Sequence, residues 1–177
     1  MTLVLFTLGV ILGLMLAEAR LSRRHEQQLR AHGAIAPRGD VYLAMAVLYP
    51  AAFIAMGIEG ARRVMWGQSP EAWFVSGLLL FAASKALKYW AIRALGVRWS
   101  FRVLVLRGVP LVTTGPYRYV AHPNYVAVVG ELAGAAMMMN ARLSGPIALV
   151  VFGVTMWVRI RFETRALREA YQESDRS

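Results

Sequence analysis

The stretch Leu3–Ala19 reads LVLFTLGVILGLMLAEA and decides the fold, because it is an almost uninterrupted apolar run. A helix needs about 20 apolar residues to cross the hydrocarbon core of a bilayer, and the usable range begins at about 17. No basic segment precedes the run and no small-residue cleavage site follows it, which argues against a signal peptide. We therefore predict a retained membrane helix.

Four more apolar runs follow, namely Val41–Ile58, Ala72–Ala94, Tyr125–Asn140 and Leu143–Ile160. The composition agrees with a membrane protein, since 58% of the residues are hydrophobic, 17% are charged and the mean hydropathy is +0.47. The short link Ala141–Arg142 predicts a tight antiparallel pair of helices. The sequence thus predicts an all-α integral membrane protein with about five transmembrane helices, folded as a single domain over residues 1–177.

Basic residues outnumber acidic ones, 20 to 10, and give the chain a net charge of +10. All of them except Arg62, Arg63 and Arg142 fall in three segments, Arg20–Asp40, Lys85–Arg118 and Arg159–Arg176. With five spanning helices these segments share one side of the membrane, and the positive-inside rule makes that side cytoplasmic. We predict a bacterial inner-membrane protein with its N-terminus outside. The charge is interpreted as contact with anionic lipid, with no nucleic acid partner.

The chain contains no cysteine, which excludes disulfides and thiolate metal sites. Its three histidines, His25, His32 and His122, are scattered, so no metal site is predicted. It also lacks the GxGxxG, Walker, HExxH and GxSxG motifs. Readings as a soluble dinucleotide-binding protein, nucleotide-binding protein or hydrolase therefore have no support.

The loop before the fourth apolar run, Gly115–Tyr125, reads GPYRYVAHPNY and is unusually rich in Pro, Tyr and polar residues. Pro123 suits the first turn of a helix, where its missing N–H costs nothing. An isolated HPNY therefore fits a plain helix start with an interfacial tyrosine and a histidine that reaches the headgroups. The free N–H groups and the positive dipole end of such a helix equally favour a bound carboxylate.

Five of the charged residues at or inside the predicted spans are candidates for a site or for contact with the headgroups. Arg159 and Glu163 lie four apart on one helical face, either as an ordinary surface pair or as part of a site. Glu131 lies within the fourth run and is expected to face the bundle interior, as a site residue or as a partner of a basic residue on the third helix. Lys85 and Lys88 are expected to reach the headgroups by snorkelling.

These segments together resemble the isoprenylcysteine carboxyl methyltransferase family of integral membrane enzymes. The family pattern is LVTxGPYxxxRHPxY, a helical hairpin and then an Arg- and Glu-rich helix. Here it stands as Leu111–Tyr117, His122–Tyr125 and the pair Arg159 and Glu163. The resemblance covers Leu95–Tyr171, so we expect residues 1–94 to form the N-terminal helices and residues 95–171 the cofactor-binding half.

The resemblance implies that S-adenosylmethionine is the cofactor. The residues it assigns to cofactor binding are Val109, Pro110, Leu111 and Val112, through their backbone, with Tyr117, His122, Pro123, Asn124, Tyr125 and Glu163. It assigns substrate binding to Arg159. Three departures concern the substrate end: Ala121 replaces an Arg, Thr164 replaces a second Glu, and the chain stops soon after Tyr171.

The piece Leu95–Leu106 reads LGVRWSFRVLVL, and its part Val97–Leu106 alternates enough to predict an extended, interfacial segment. It also looks more like bacterial members that methylate phenolic polyketide lipids than like those acting on prenylated proteins. The predicted acceptor is therefore lipophilic, with alkylresorcinols or alkylpyrones ranked above isoprenylcysteine. A phenol has a pKa of about 10 and benefits from a base, for which His122 and Glu131 are both candidates. With Arg159 these are the predicted catalytic residues.

Two other classes remain open at this stage. One is an NADPH-dependent membrane reductase of the sterol-reductase type, which shares a similar cofactor-binding half. Its cofactor carries an additional phosphate, which favours basic residues around the pocket. Arg118, Arg161 and Arg165 are candidates to bind that phosphate. The other is a non-catalytic membrane scaffold, which would have no use for the ordered set of Tyr, His, Arg and Glu residues.

Overall fold

Five helices make up the chain in a computed structural model that describes residues 1–36, 41–68, 71–106 and 109–174. They are α1 (Thr2–Ala31), α2 (Tyr42–Met65), α3 (Glu71–Leu95), α4 (Pro123–Met138) and α5 (Ser144–Ser174). Short 3₁₀ turns lie at Gly96–Arg98 and Gly115–Arg118. The side chains of Glu71 and of residues 165–174 are not described, and part of the basic segments Arg20–Asp40 and Arg159–Arg176 lies outside the described residues. The predicted all-α membrane fold is confirmed.

Among the described residues, four helical stretches are long and apolar enough to cross a membrane: Thr2–Ala31, Tyr42–Met65, Ala72–Arg98 and Ser144–Thr164. The fourth predicted run forms the helix α4, which has 16 residues. At 1.5 Å per residue it is about 24 Å long, shorter than a typical span. Half of its residues are buried, so α4 lies against its neighbours inside the bundle and much of it does not face lipid.

The helices α3 and α4 approach each other so closely that only glycine fits at their crossing. A Cβ added to Gly77 would lie 2.6 Å from the carbonyl oxygen of Gly134, and one added to Gly134 would lie 2.7 Å from that of Gly77. Small residues at helix crossings are how membrane helices gain van der Waals contact in the absence of a hydrophobic driving force. Helix α5 packs on α4, α2 packs on α4 and α5, and α1 packs on α2.

At one end of the bundle, the start of α5 is capped by a residue of α2. The Glu59 carboxylate accepts hydrogen bonds from the backbone N–H of Leu143 at 3.0 Å and of Ser144 at 2.7 Å. These N–H groups have no partner within their own helix, and the positive dipole end favours a carboxylate. The cap fixes α5 to α2 at the end remote from the candidate site.

The helix α1 is longer than a bilayer core requires. Its 30 residues extend about 45 Å, whereas the hydrocarbon core is about 30 Å thick. The part of α1 from Arg20 onward, which exposes Arg20, Arg23, Arg24 and Arg30, projects beyond the apolar run. There Ile35 and Val105 exchange two backbone hydrogen bonds of 3.0 Å. The segment predicted to be extended, Val97–Leu106, includes this isolated bridge at Val105, and its first two residues lie in the 3₁₀ turn Gly96–Arg98.

A group of buried charges connects three helices, and we call it the ion cluster: Glu18 of α1, Lys85 and Lys88 of α3, and Glu131 of α4. The Lys85 ammonium lies 2.5 Å from Glu18 and 3.2 Å from Glu131. The Lys88 ammonium lies 3.1 Å from Glu18 and 2.8 Å from Glu131. Tyr49 of α2 donates a hydrogen bond to Glu131. Two positive charges therefore face two negative ones.

The expectation that Lys85 and Lys88 reach the headgroups is wrong. Their exposed fractions are 7% and 2%, because the carboxylates of Glu18 and Glu131 neutralise them inside the bundle. A charged residue in a membrane span is tolerated where it faces the bundle interior and is paired. Glu131 thus pairs with the basic residues Lys85 and Lys88 of the third helix, which was one of the two alternatives predicted for it.

Candidate functional site

The loop that leads into α4 is held in place by α3. Gly115 has φ +62°, a left-handed conformation that disfavours side chains, and an added Cβ would lie 2.8 Å from that of Ala94. Helix α4 then begins at Pro123 with His122 as its N-cap, as the HPNY motif predicts. The 3₁₀ turn Gly115–Arg118 and the first turn of α4 are therefore anchored relative to α3.

The Tyr125 hydroxyl is where the predicted site residues meet. It donates a hydrogen bond to Glu163 Oε2 at 2.7 Å and accepts one from Arg159 Nε at 2.9 Å. The imidazole of His122 lies beside the phenol ring, with 5.4 Å between ring centroids. An anionic and a cationic side chain of α5 are thus joined through one phenol of α4.

The guanidinium of Arg159 is buried, with 6% of the residue exposed. Besides Tyr125, it donates to the backbone carbonyl of Phe101 and lies 3.6 Å from the sulfur of Met45. These contacts rule out the alternative of a surface pair on a solvated helix for Arg159. Sequence reasoning missed Phe101 and Met45, because a backbone carbonyl and a thioether carry no recognisable pattern.

The Tyr117 phenol interacts electrostatically with the Glu163 carboxylate. Burial, and secondly the Glu163 carboxylate, raise the pKa of the Tyr117 phenol above its usual value. The phenol therefore stays neutral at physiological pH, and its hydroxyl remains a hydrogen-bond donor next to a carboxylate. The phenols of Tyr117 and Tyr125 thus both interact with the Glu163 carboxylate.

The predicted backbone segment Val109–Val112 lies at the surface. Val109, Pro110 and Leu111 are exposed and Val112 is half-buried. Arg98 donates a hydrogen bond of 2.7 Å to the carbonyl of Pro110, and so ties the segment to the turn that follows α3. The role of this segment in cofactor binding stays a prediction.

Asn124 and Pro123 occupy the first turn of α4 together with Tyr125. Pro123 is buried, and the Asn124 side-chain oxygen lies 3.5 Å from the indole nitrogen of Trp99. Glu131 is six residues beyond Tyr125, about 9 Å along the helix axis, in the ion cluster. Its contacts are those of a structural partner, and its role as a base stays a prediction.

The three arginines that could bind the additional phosphate of NADPH in a reductase, Arg118, Arg161 and Arg165, differ in their surroundings. Arg118 is exposed in the 3₁₀ turn. The guanidinium carbon of Arg161 lies 3.7 Å from the centre of the Trp157 ring, a cation–π contact. The side chain of Arg165 lies outside the described residues.

Comparison with known proteins adds to this geometry. The sequence model of the isoprenylcysteine carboxyl methyltransferase family matches residues 77–169, which include α4 and every charged group around Tyr125. The chain belongs to the isoprenylcysteine carboxyl methyltransferase family. Membership suggests a membrane methyltransferase, and members of the family use S-adenosylmethionine as the methyl donor. The resemblance predicted from the sequence is confirmed.

Two relatives extend the likeness beyond the family segment. An uncharacterized protein of Bacillus subtilis, YpbQ, is 29% identical over 153 residues, which cover 86% of this chain and 89% of that one. An uncharacterized protein of Haemophilus influenzae is 24% identical over 169 residues, which cover 95% and 96% of the two chains. No solved structure matches the chain significantly.

Proposed function

We propose that this chain is an S-adenosylmethionine-dependent O-methyltransferase that acts on a lipophilic acceptor within the membrane. The observation that carries the proposal is the Tyr125 hydroxyl, which joins Glu163 at 2.7 Å to Arg159 at 2.9 Å. A carboxylate and a guanidinium held side by side suit a reaction in which a cationic cofactor meets an oxygen nucleophile. Family membership supports the same reaction class.

The residues around Glu163 fit the proposed cofactor chemically. S-adenosylmethionine, when bound, supplies an electrophilic methyl group on a positively charged sulfur. In this proposal the Glu163 carboxylate balances the positive charge, the rings of Tyr117 and Tyr125 attract the cation, and His122 lies beside Tyr125. The first turn of α4 presents the positive end of the helix dipole, which favours a carboxylate, and the backbone of Val109–Val112 completes the proposed binding set.

Arg159 is the proposed substrate-binding and catalytic group. A guanidinium has five N–H donors, which allows it to orient an acceptor oxygen while keeping its bonds to Tyr125 and Phe101. Its positive charge, held away from water, favours an ionised acceptor. A phenol also has to lose its proton, and we propose His122 as the base ahead of Glu131, because Glu131 already faces two lysines.

The acceptor is proposed to enter from the bilayer. The α4–α5 hairpin brings the start of α4 next to the Arg159 region of α5, at the end of the apolar stretch Ser144–Thr164. An acceptor can therefore keep its hydrocarbon tail in lipid while its polar head reaches Arg159. Each buried CH₂ favours the membrane by about 0.8 kcal/mol, so the bilayer concentrates long-chain acceptors. We rank alkylresorcinol or alkylpyrone lipids above an isoprenylcysteine carboxylate.

Transfer of an isotope-labelled methyl group by the purified protein tests this proposal. The acceptors are resorcinols, pyrones and prenylcysteine analogues in series of increasing chain length. We expect turnover to rise with chain length, and Arg159→Ala to lower kcat while sparing cofactor affinity. Arg142→Ala, which removes an exposed arginine from the link between α4 and α5, is the matched control.

Equal turnover of short, water-soluble and long-chain acceptors at matched concentration contradicts lateral entry. Activity on prenylcysteine alone reverses the acceptor ranking. Oxidation of NADPH in place of methyl transfer favours the membrane reductase, for which the exposed Arg118 within the Gly115–Tyr125 loop offers a phosphate contact. Binding of neither cofactor favours the scaffold.

A further inference from the structure

The projecting end of α1 holds a three-residue segment, Trp99–Phe101, which we call the bridging segment. The backbone N–H of Phe101 donates to the Ser22 hydroxyl at 2.9 Å, and Ser22 has no exposed surface. The His25 Nδ1 lies 2.8 Å from the carbonyl oxygen of Trp99. Since a carbonyl oxygen only accepts, His25 Nδ1 carries the proton and donates it. Ser22 and His25 lie three apart, on one face of a regular helix.

The bridging segment contacts both halves of the proposed site on its other side. The carbonyl of Phe101 accepts a hydrogen bond from the Arg159 guanidinium. The indole nitrogen of Trp99 lies 3.5 Å from the side-chain oxygen of Asn124, in the first turn of α4. Trp99 itself is 3% exposed, so its ring is fixed by packing. Each end of the segment is therefore tied to α1 and also to a predicted site residue.

A long arginine side chain keeps one orientation only if its hydrogen-bond acceptors are themselves fixed. The acceptor here is the backbone carbonyl of Phe101, which lies in a loop and has no regular ladder to hold it. Ser22 supplies the missing restraint at the N–H of the same residue, and the rigid helix α1 supplies the frame. Ser22 and His25 both lie outside residues 77–169, the part of the chain that matches the family.

We propose that Ser22 and His25 are positioning residues that complete the site from outside the family segment. Ser22 acts through Phe101 on Arg159, and so on the acceptor. His25 acts through Trp99 on Asn124, and so on the cofactor. This role rests on the proposed methyltransferase function. Helix α1 would then help to position the site residues, in addition to spanning the membrane.

The test separates the two paths by measuring acceptor kinetics and cofactor affinity on the same variants. We expect Ser22→Ala to lower kcat about tenfold or more, because small displacements of a positioning group are costly, while the Kd for S-adenosylmethionine stays within about twofold. We expect His25→Ala to raise that Kd several-fold. His25→Asn, whose amide N–H stands where Nδ1–H was, should restore most of the affinity.

Two matched variants on α1 control for loss of structure. Thr7→Val removes another buried hydroxyl, one that bonds only to the backbone of its own helix at Leu3. His32→Ala removes an exposed imidazole that bonds to the backbone of Gln28. Both should leave kcat and Kd within about twofold of the wild type, as expected of substitutions away from a site.

A thermal-unfolding cycle on Ser22→Ala and Arg159→Ala adds a readout that needs no substrate. Coupling in this cycle, with additivity between Thr7→Val and Arg159→Ala, supports the path through Phe101. Additivity of Ser22 with Arg159, or an unchanged kcat in Ser22→Ala, overturns the proposal. A wild-type protein that binds no S-adenosylmethionine overturns the proposed function instead, and this role with it.

Discussion

Removing a single charge from the ion cluster should destabilise the bundle more than removing an opposite pair. Glu18→Gln leaves Lys85 and Lys88 with only the Glu131 carboxylate, and Lys85→Met leaves two carboxylates with only one ammonium. Breaking a buried ion pair by deleting one partner costs about 3–5 kcal/mol, because an uncompensated charge stays buried. We expect each single variant to lose about that much free energy of unfolding.

The double variant Glu18→Gln/Lys85→Met restores neutrality and keeps the Lys88–Glu131 pair, whose charged atoms lie 2.8 Å apart. It should therefore lose less free energy of unfolding than either single variant, so the coupling energy should exceed one single loss of about 3–5 kcal/mol. Reversible unfolding in mixed detergent micelles, followed by far-ultraviolet circular dichroism, measures these differences.

The control for this series is Arg20→Gln, which removes an exposed charge two residues from Glu18. Its free energy of unfolding should stay within about 0.5 kcal/mol of the wild type. Additive effects of Glu18→Gln and Lys85→Met, or single losses below about 1 kcal/mol, would refute the account of a neutralised buried cluster.

Two further predictions concern the loop and the orientation. Gly115→Ala should destabilise the protein by about 1–2 kcal/mol and weaken cofactor binding, because its residue has φ +62° and its Cβ would press on Ala94; thermal unfolding and calorimetry check both. Since the chain has no cysteine, Gln28→Cys in the last turns of α1 and Gln68→Cys just after α2 each introduce one exposed thiol, and the proposed orientation puts the two on opposite sides of the membrane. A membrane-impermeant reagent on intact bacterial cells should label Gln68→Cys only, and labelling of Gln28→Cys alone would reverse the proposed orientation.

The helices could be predicted from sequence because lipid forces every backbone polar group to pair internally, so an apolar run of sufficient length becomes a helix. The start of α4 was also predictable, since Pro123 is favoured at that position and disfavoured later in a helix. Its end differs slightly from the prediction: the helix stops at Met138, and Asn140 takes a left-handed conformation with φ 53°.

The partners of the buried charges could not be predicted. Glu18 and Lys85 are 67 residues apart, and hydropathy indicates only that each interrupts an apolar run. Because Lys85 and Lys88 are buried in the bundle, they no longer count toward the positive-inside rule. The predicted orientation then depends on the exposed arginines. His122, Arg159 and Glu163 could be identified as site residues because they belong to a family pattern. The contacts of Ser22, His25 and Phe101 that hold the site could not be predicted, because they join segments that are distant in the sequence.

Calorimetric titration with S-adenosylmethionine and with NADPH tests the central claim most directly. The wild-type protein should bind S-adenosylmethionine and not NADPH. Glu163→Gln should weaken that binding by about 1–3 kcal/mol, the scale of a lost charge-assisted contact. Glu59→Gln, which alters a carboxylate at the opposite end of α5, should leave the affinity unchanged. Affinity for S-adenosylmethionine that is unaltered in both Glu163→Gln and His122→Ala, or binding of NADPH in its place, would contradict the account.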